Sequence, residues 1–369
     1  MLLKRISLSI SLVALAFAGF TQGQTAEGSS GSIAPKYSNE FLAIGVGARA
    51  LGMSNSYVAS ANDVTAGYWN PAGLIGIKSD LQVSAMHAEY FAGIAKFDYA
   101  AIGKSLDSSS AAAFTVIRFG VDDIPNTTEL IDADGNINYD RITSFSAADY
   151  AFIFSYARKL KVPGLHVGGS AKIIYRKVGD FANSWGFGLD AGLTYQRKNW
   201  KFGASLRDVT STFNAWNFTL DERTREVFVL TGNEIPVNSL EITLPRLIGA
   251  VAREFTFSEK FKLLAEIDLD ITTDGKRNVL IRSNPLSFDP HMGFEFGYQN
   301  IVFLRAGIGN IQRINSEIDK EELTFQPNFG IGLKIREVYL DYALTDIGDQ
   351  SAALYSNIFS LKFNIFKGS

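Results

Sequence analysis

Three histidines, a run of aspartates and a set of charged residues at alternate positions are the groups in this 369-residue chain that could do chemistry. His87, His166 and His291 fall on separate candidate strands, without the close spacing that gathers imidazoles around one metal ion. Each therefore reads as a residue of a lumen or rim. Asp132-Ala133-Asp134-Gly135-Asn136 offers oxygen ligands for calcium. Gly135 comes too early for an EF-hand loop, however, and no bidentate Glu follows at the right place, so a tight Asp-Gly turn is the reading. The chain has no cysteine, which excludes thiolate metal sites, disulfides and an N-terminal lipid anchor. No Ser/His/Asp grouping, phosphate-cradling glycine loop or spaced carboxylate pair stands out. No catalysis, cofactor or metal is expected. A net charge of -3 with no basic patch gives no case for a nucleic-acid partner.

The remaining charges carry structural information. Lys172, Arg176, Asp190, Lys201, Arg207, Glu266, Asp268, Asp270, Glu295, Arg305, Lys334, Arg336 and Asp341 lie on the polar faces of strands that are apolar on the other side. In the run from 164 to 178, Leu165, Val167, Ala171, Ile173 and Tyr175 share one face, while His166, Ser170, Lys172 and Arg176 share the other. Trp185, Phe187, Leu189 and Leu193 repeat the pattern against Gly186, Gly188, Asp190 and Gly192. Successive strand side chains point to opposite faces, so each run makes one greasy face and one polar, Gly-rich face.

Such runs cover 81–91, 97–106, 110–119, 148–160, 165–177, 185–196, 200–208, 241–255, 261–271, 291–299, 302–309, 327–336, 338–345 and 354–366. The count predicts an all-β fold, a transmembrane antiparallel β-barrel of about 14 strands, in the even-numbered range of outer-membrane barrels. A mean hydropathy of +0.06 is compatible with this, because lipid-facing and lumen-facing residues average out. Tight links at 161–163, 197–199, 258–260, 299–300 and 336–337 alternate with long ones at 120–147, 210–240, 272–290 and 310–326. Short turns belong on the periplasmic side and long loops outside, which puts both ends of the barrel in the periplasm. Tyr150, Tyr175 and Trp185 then mark the outer interface, and Tyr156, Tyr195, Trp200 and Tyr298 the inner one. A soluble β-sandwich would account for the alternation, but neither for this ordering nor for the N-terminus. There, Lys4 and Arg5 precede an apolar stretch from 6 to 18 and the small-residue site Ala16-Phe17-Ala18, a secretory leader expected over 1–23.

Residues 24–79 do not alternate, and the barrel proper is expected over 80–369. The small residues of this segment permit close backbone approach. Asn70-Pro71 is a good helix start, with Asn as cap and Pro at the first helical position. A hatch or plug in the barrel mouth is the natural use of such a segment. Gly47-Ala48-Arg49-Ala50-Leu51-Gly52-Met53, then Tyr57-Val58-Ala59, Asn62-Asp63 and Tyr68-Trp69-Asn70-Pro71-Ala72-Gly73-Leu74, resemble the N-terminal signature of the PorV/PorQ family of outer-membrane barrels associated with type IX secretion. The Asn-Pro-Ala-Gly piece is also shared with FadL-like fatty-acid transporters, where it lies in the hatch. Residues 211–216 and 341–349 are similar to the PorV/PorQ family too. Ser54-Asn55 departs from the pattern, in which Gly-Gly is expected, and leaves the local turn geometry open.

The resemblance implies a FadL-like barrel in outer-membrane lipid whose hatch motif includes Gly47, Ala48, Arg49, Asn70, Pro71 and Gly73. It also implies type IX secretion components or cargo proteins as partners. Phe213, Trp216 and Phe218 on the expected outer loop 210–240 are candidate contacts for such a partner. A FadL-like passage for hydrophobic small molecules is the alternative, and an apolar pocket between plug and wall is the feature that would favour it.

Overall fold

The computed structural model describes residues 35–131, 136–315, 321–346 and 355–367. The leader over 1–23, the first part of segment 24–79, residues 132–135 of the aspartate turn and residues 347–349 of the closing motif lie outside the described residues.

The alternating runs form one antiparallel sheet closed on itself. In chain order its fourteen strands begin with β1 (Leu81–Tyr90), β2 (Ala95–Ser105), β3 (Ser110–Asn126), β4 (Thr143–Lys159), β5 (Leu165–Val178) and β6 (Ala182–Arg197). The next two are broken: β7a (Trp200–Arg207) continues as β7b (Thr212–Phe218), and β8a (Ser239–Thr243) continues as β8b (Arg246–Thr256). Then follow β9 (Phe261–Thr272), β10 (Ser287–Tyr298), β11 (Val302–Asn315), β12 (Glu321–Ile335), β13 (Val338–Thr345) and β14 (Ser356–Ile365). β14 closes the ring on β1, from Leu81 opposite Ile365 to Glu89 opposite Asn357. Closure leaves no edge with unpaired amides, the condition for a sheet to stand in hydrocarbon.

The outward face explains the greasy half of each run. Phe154, Ile173, Phe187, Val251, Ile267, Leu304, Ile331, Leu340 and Phe359 are all exposed on it. An apolar belt of this kind, which runs over β4–β14, is stable against lipid and not against water. Among the described residues no helix is long and apolar enough to cross a membrane, and the crossing is made by strands. Tyr150 stacks on Tyr175 at 6.3 Å, and Tyr175 meets Trp185 at 4.7 Å, toward the end that carries the long loops. Tyr195 on Phe202 and Phe261 against Tyr298 do the same near the tight turns. The molecule is a transmembrane barrel of the outer-membrane type.

Several expected loops are shorter than the sequence implies. β3 runs on to Asn126 and β4 starts at Thr143, while β11 and β12 extend to Asn315 and from Glu321. These hairpins keep their ladder bonds above the lipid, each with a register shift, at Val121/Ile124 and at Gly309/Gln312. Of the expected loop 210–240, β7b and β8a belong to the wall. Only the connection between them, with a helix at Glu222–Leu230, stands free.

Inside the ring lies the segment from 35 to 79. Its elements are short: 3-10 turns at Glu40–Leu42 and Pro71–Gly76, and single helical turns at Ala48–Leu51 and Ala66–Trp69. Val46, Met53, Tyr57, Val58, Val64 and Leu74 are almost wholly buried among wall residues such as Phe97, Ile117, Ile174 and Ile358. The Gly-rich inner face of the strands is what admits this segment. A Cβ on Gly168 would stand 2.5 Å from the Ala72 nitrogen, and one on Gly307 would stand 2.4 Å from the Met53 carbonyl carbon.

Candidate functional site: the hatch and the cavities beside it

Gly47 enters the first helical turn at φ +84°, a backbone conformation open to glycine, and its N–H donates to the Met86 sulfur at 2.9 Å. The Ala48 N–H donates to the Ser360 hydroxyl. Arg49 then reaches β10, donating from Nε to Oε2 and from Nη2 to Oε1 of Glu295, both at 2.7 Å. The same Glu295 accepts from Arg305 Nε at 2.7 Å, and Arg305 Nη1 donates to Asp341 at 2.6 Å. Charge alternates along this chain of four, so each buried ion is flanked by its opposite. Tyr57 offers its ring to the Arg49 guanidinium at 5.1 Å.

A second set of contacts uses wall carboxylates as acceptors for the hatch backbone. Asp268 takes the N–H groups of Tyr57 and Val58 at 3.1 and 3.0 Å. Glu266 takes those of Ala59 and Ser60 at 2.6 and 3.3 Å. Backbone donors that no strand pairs are satisfied in this way. Asp63 meets Lys362 on β14 at 2.5 Å. Burial alone would raise its pKa, but the ammonium overrides this and holds the Asp63 carboxyl at about 2, below its usual 3.8.

Asn70 combines a local and a long-range role. Its Oδ1 caps the Pro71–Gly76 turn at the Ala72 N–H, and its Nδ2 donates to Val58 O and, across to β6, to Leu193 O. Pro71 sits at the first position of that turn, and a Cβ on Gly73 would lie 2.2 Å from Ala61 O. The six expected hatch residues therefore fall in two places: Gly47, Ala48 and Arg49 against β1, β10 and β14, and Asn70 and Pro71, with Gly73 packed on Ala61, toward β5 and β6. Ser54 and Asn55 take φ of 52° and 65°, so both occupy the left-handed region that the expected Gly-Gly would suit.

Among the described residues, sizeable cavities flank the hatch. At the end with the tight turns, one of 480 Å³ is lined by charge, including Arg49, Asp63, Lys201, Glu295 and Lys362. Two open toward the long loops. One of 530 Å³ is polar, bounded by Asn55, Arg207, Arg246, Asp270, Arg277 and His291. The other, of 460 Å³, is mainly apolar, between hatch residues Phe41, Ile44 and Leu51 and wall residues Tyr90, Phe91 and Phe119, with Glu40, Asn310, Gln326 and Asp346 completing its lining. The wall is interrupted opposite this apolar pocket. Residues 208–211 loop out between β7a and β7b, and Pro245, which has no N–H, parts β8a from β8b. Lys172 braces the break between Asp190 at 2.8 Å and Asp208 at 2.6 Å. Beside it Arg207 lies over Tyr68 at 4.5 Å and donates to Leu42 O at 3.0 Å.

Some expectations are corrected. Phe213, Trp216 and Phe218 stand on wall strand β7b, not on a loop, because the alternation continues through them. Phe213 faces lipid. Trp216 and Phe218 face the lumen, stacked at 6.0 Å, with Trp216 Nε1 donating to Glu241 at 2.8 Å and Arg176 over its ring. Arg336 sits in the tight turn after β12 at φ 53°, not on the lumen face. His166 and His291 face inward, the latter 3.3 Å from Asp270, whereas His87 faces outward. Lys362 and the socket glycines were missed as hatch contacts. Their positions on the polar side of the alternation were the available signal.

No family model matches the chain, and no curated protein matches it. Among solved structures, the toluene transporter TodX of Pseudomonas putida is similar with a TM-score of 0.56 at 13% identity, over 87% of this chain and 98% of TodX. The toluene transporter TbuX of Ralstonia pickettii gives 0.52 at 13% identity, over 87% and 98%. CymD, a monoaromatic hydrocarbon channel, gives 0.52 at 12% identity, over 88% and 98%. At such identities the likeness concerns the chain path alone, and that path is the FadL-like outer-membrane barrel.

Proposed function

We propose that the barrel admits hydrophobic small molecules from outside, with the apolar pocket of 460 Å³ as their first binding site. The lining of that pocket carries the reading. Phe41, Ile44 and Leu51 of the hatch face Tyr90, Phe91 and Phe119 of the wall, at the end with the long loops. Its size and apolar lining suit a small organic ligand. The other two cavities carry many more charges and no comparable apolar wall. The similar barrels TodX and TbuX, toluene transporters, and CymD, a monoaromatic hydrocarbon channel, point the same way. Radiolabelled toluene uptake into cells carrying the barrel tests this. Phe91→Asp should cut uptake severalfold, and uptake equal to that of cells lacking the protein refutes the reading.

A second reading, a type IX secretion component, is favoured by the signature over 47–74 and by the ion pairs that tie the hatch down. A barrel kept shut while its outer surface meets exported cargo has use for such ties. The exposed Val229 and Leu230 of the Glu222–Leu230 helix are then the contact. Deletion of the gene should strand cargo in the periplasm, and normal surface display of cargo in the deletant refutes this reading.

A further inference from the structure

The apolar pocket of 460 Å³ is more than a slot for hydrocarbon. Beside its rings it carries the carboxylates of Glu40 and Asp346, and among the described residues its lining holds no Lys, Arg or His. An anion entering there faces carboxylates and finds no cation to pair with. The neighbouring polar cavity, which shares Glu40 and Asn55 with it, does not supply one. Its Arg246 is paired with Asp270, and its Arg277 with Glu40 and Asp274. Arg207 spends its donors on Leu42 O and Tyr68 O, and Asp289 adds a further carboxylate.

Two polar atoms of the same lining have no hydrogen-bond partner. Tyr90 is only 8% exposed, and its hydroxyl is buried and unbonded. Asn55 commits Nδ2 to Ile44 O at 3.2 Å, which leaves its buried Oδ1 without a donor. Such groups have already lost their water. A ligand that bonds to them recovers a cost that a hydrocarbon leaves standing. An alcohol can answer either atom, accepting from the Tyr90 hydroxyl or donating to Asn55 Oδ1.

The cavity at the tight-turn end has the opposite balance. Seven basic residues line it against four acidic ones. Arg49, Arg305 and Lys362 are held by close carboxylates. Lys201 and Lys262, by contrast, share Glu254 at 3.9 and 3.8 Å, and Lys334 lies over the Tyr339 ring at 5.1 Å. A cation on its way to the periplasm is repelled by this excess. Anions are disfavoured at the outer end and cations at the inner one. We propose that the molecules admitted are uncharged and carry a hydrogen-bonding group on an apolar body, aromatic alcohols and phenols being the simplest. This rests on the reading of the barrel as a passage for hydrophobic small molecules, and it names their class.

Probes of nearly one size separate these effects: radiolabelled toluene, benzyl alcohol, benzoate and benzylammonium, given at equal low concentration to cells with and without the barrel. Barrel-dependent uptake of benzyl alcohol should exceed that of toluene severalfold. Uptake of either ion should lie about tenfold below that of the alcohol. Tyr90→Phe removes one oxygen and keeps the ring, so it should bring the alcohol down toward toluene and leave toluene unchanged. Heat-modifiable gel migration shows that the variant is folded. Toluene uptake without a preference for the alcohol overturns the inference and leaves the passage itself standing. So does benzoate or benzylammonium uptake equal to that of the alcohol, or a preference that Tyr90→Phe retains in full. Absence of barrel-dependent uptake for every probe, toluene included, overturns both.

Discussion

Along β1–β4 the hatch packs against apolar side chains, Ala88, Phe97, Tyr99, Ile117 and Ala151 among them. Along β9–β14 it hangs from charged ones, Glu266, Asp268, Glu295, Arg305 and Lys362. The first kind of contact is strong but indifferent to small sliding, since dispersion and burial have little direction. The second fixes position, because a bidentate fork such as Arg49 on Glu295 is satisfied at one geometry only. One side of the wall supplies the drive to fill the lumen, and the other sets where the hatch stops.

The largest effect should follow from cutting the charged side. Glu295→Ala leaves Arg49 and Arg305 buried together without their shared carboxylate, which costs about 3–5 kcal/mol. Hydrogen exchange should then rise across 47–63 in the hatch while the wall stays protected. Phe97→Leu on the apolar side, at a residue just as deeply buried, keeps most of the hydrophobic volume and should cost under about 1.5 kcal/mol, read by thermal unfolding in detergent. Comparable losses for the two would erase the distinction. Between them falls Gly307→Ala, whose new methyl meets the Met53 carbonyl and should cost about 1–3 kcal/mol. The Asp63–Lys362 pair adds a pH arm. The fold lowers the pKa of Asp63, so its contribution is complete above about 3.8 and is lost as pH falls toward about 2. Exchange at 62–66 should rise over that window in the native chain and be flat there in Asp63→Asn.

The alternating pattern makes the wall legible. The closing Phe359, Leu361, Phe363 and Ile365 lie on the outward side of β14, and the polar faces of β5, β9 and β10 turn inward as their charges require. The two broken strands were not legible. Loss of alternation over 208–211 looks the same in sequence whether a loop begins there or a strand pauses, so Trp216 was read as a loop residue. The hatch could be recognised by its signature, but not its fastenings. Which wall carboxylate meets which hatch amide depends on pairings more than 200 positions apart, such as Ala59 with Glu266 at a separation of 207. His87 on the lipid side was missed because a polar residue in an alternating run is expected to face the lumen, and here the alternation itself reverses that assignment.

The smallest effect is expected for Ser54→Gly, in the Ser54-Asn55 turn between the two kinds of contact. Both residues hold positive φ, which costs a non-glycine residue about 1 kcal/mol, yet both have a compensating bond. The Ser54 hydroxyl accepts from Asn328 Nδ2 at 2.6 Å, and Asn55 Nδ2 donates to Ile44 O at 3.2 Å. Ser54→Gly relieves the backbone and loses one hydrogen bond of similar worth, so thermal unfolding should shift by less than about 1 kcal/mol in either direction. Asn55→Ala keeps the strain and loses the bond, and should destabilise by about 1–2 kcal/mol. If Ser54→Gly instead loosened the hatch as much as Glu295→Ala, the hydroxyl contact with β12 would rank with the ion pairs, and the charged side alone would no longer account for where the hatch sits.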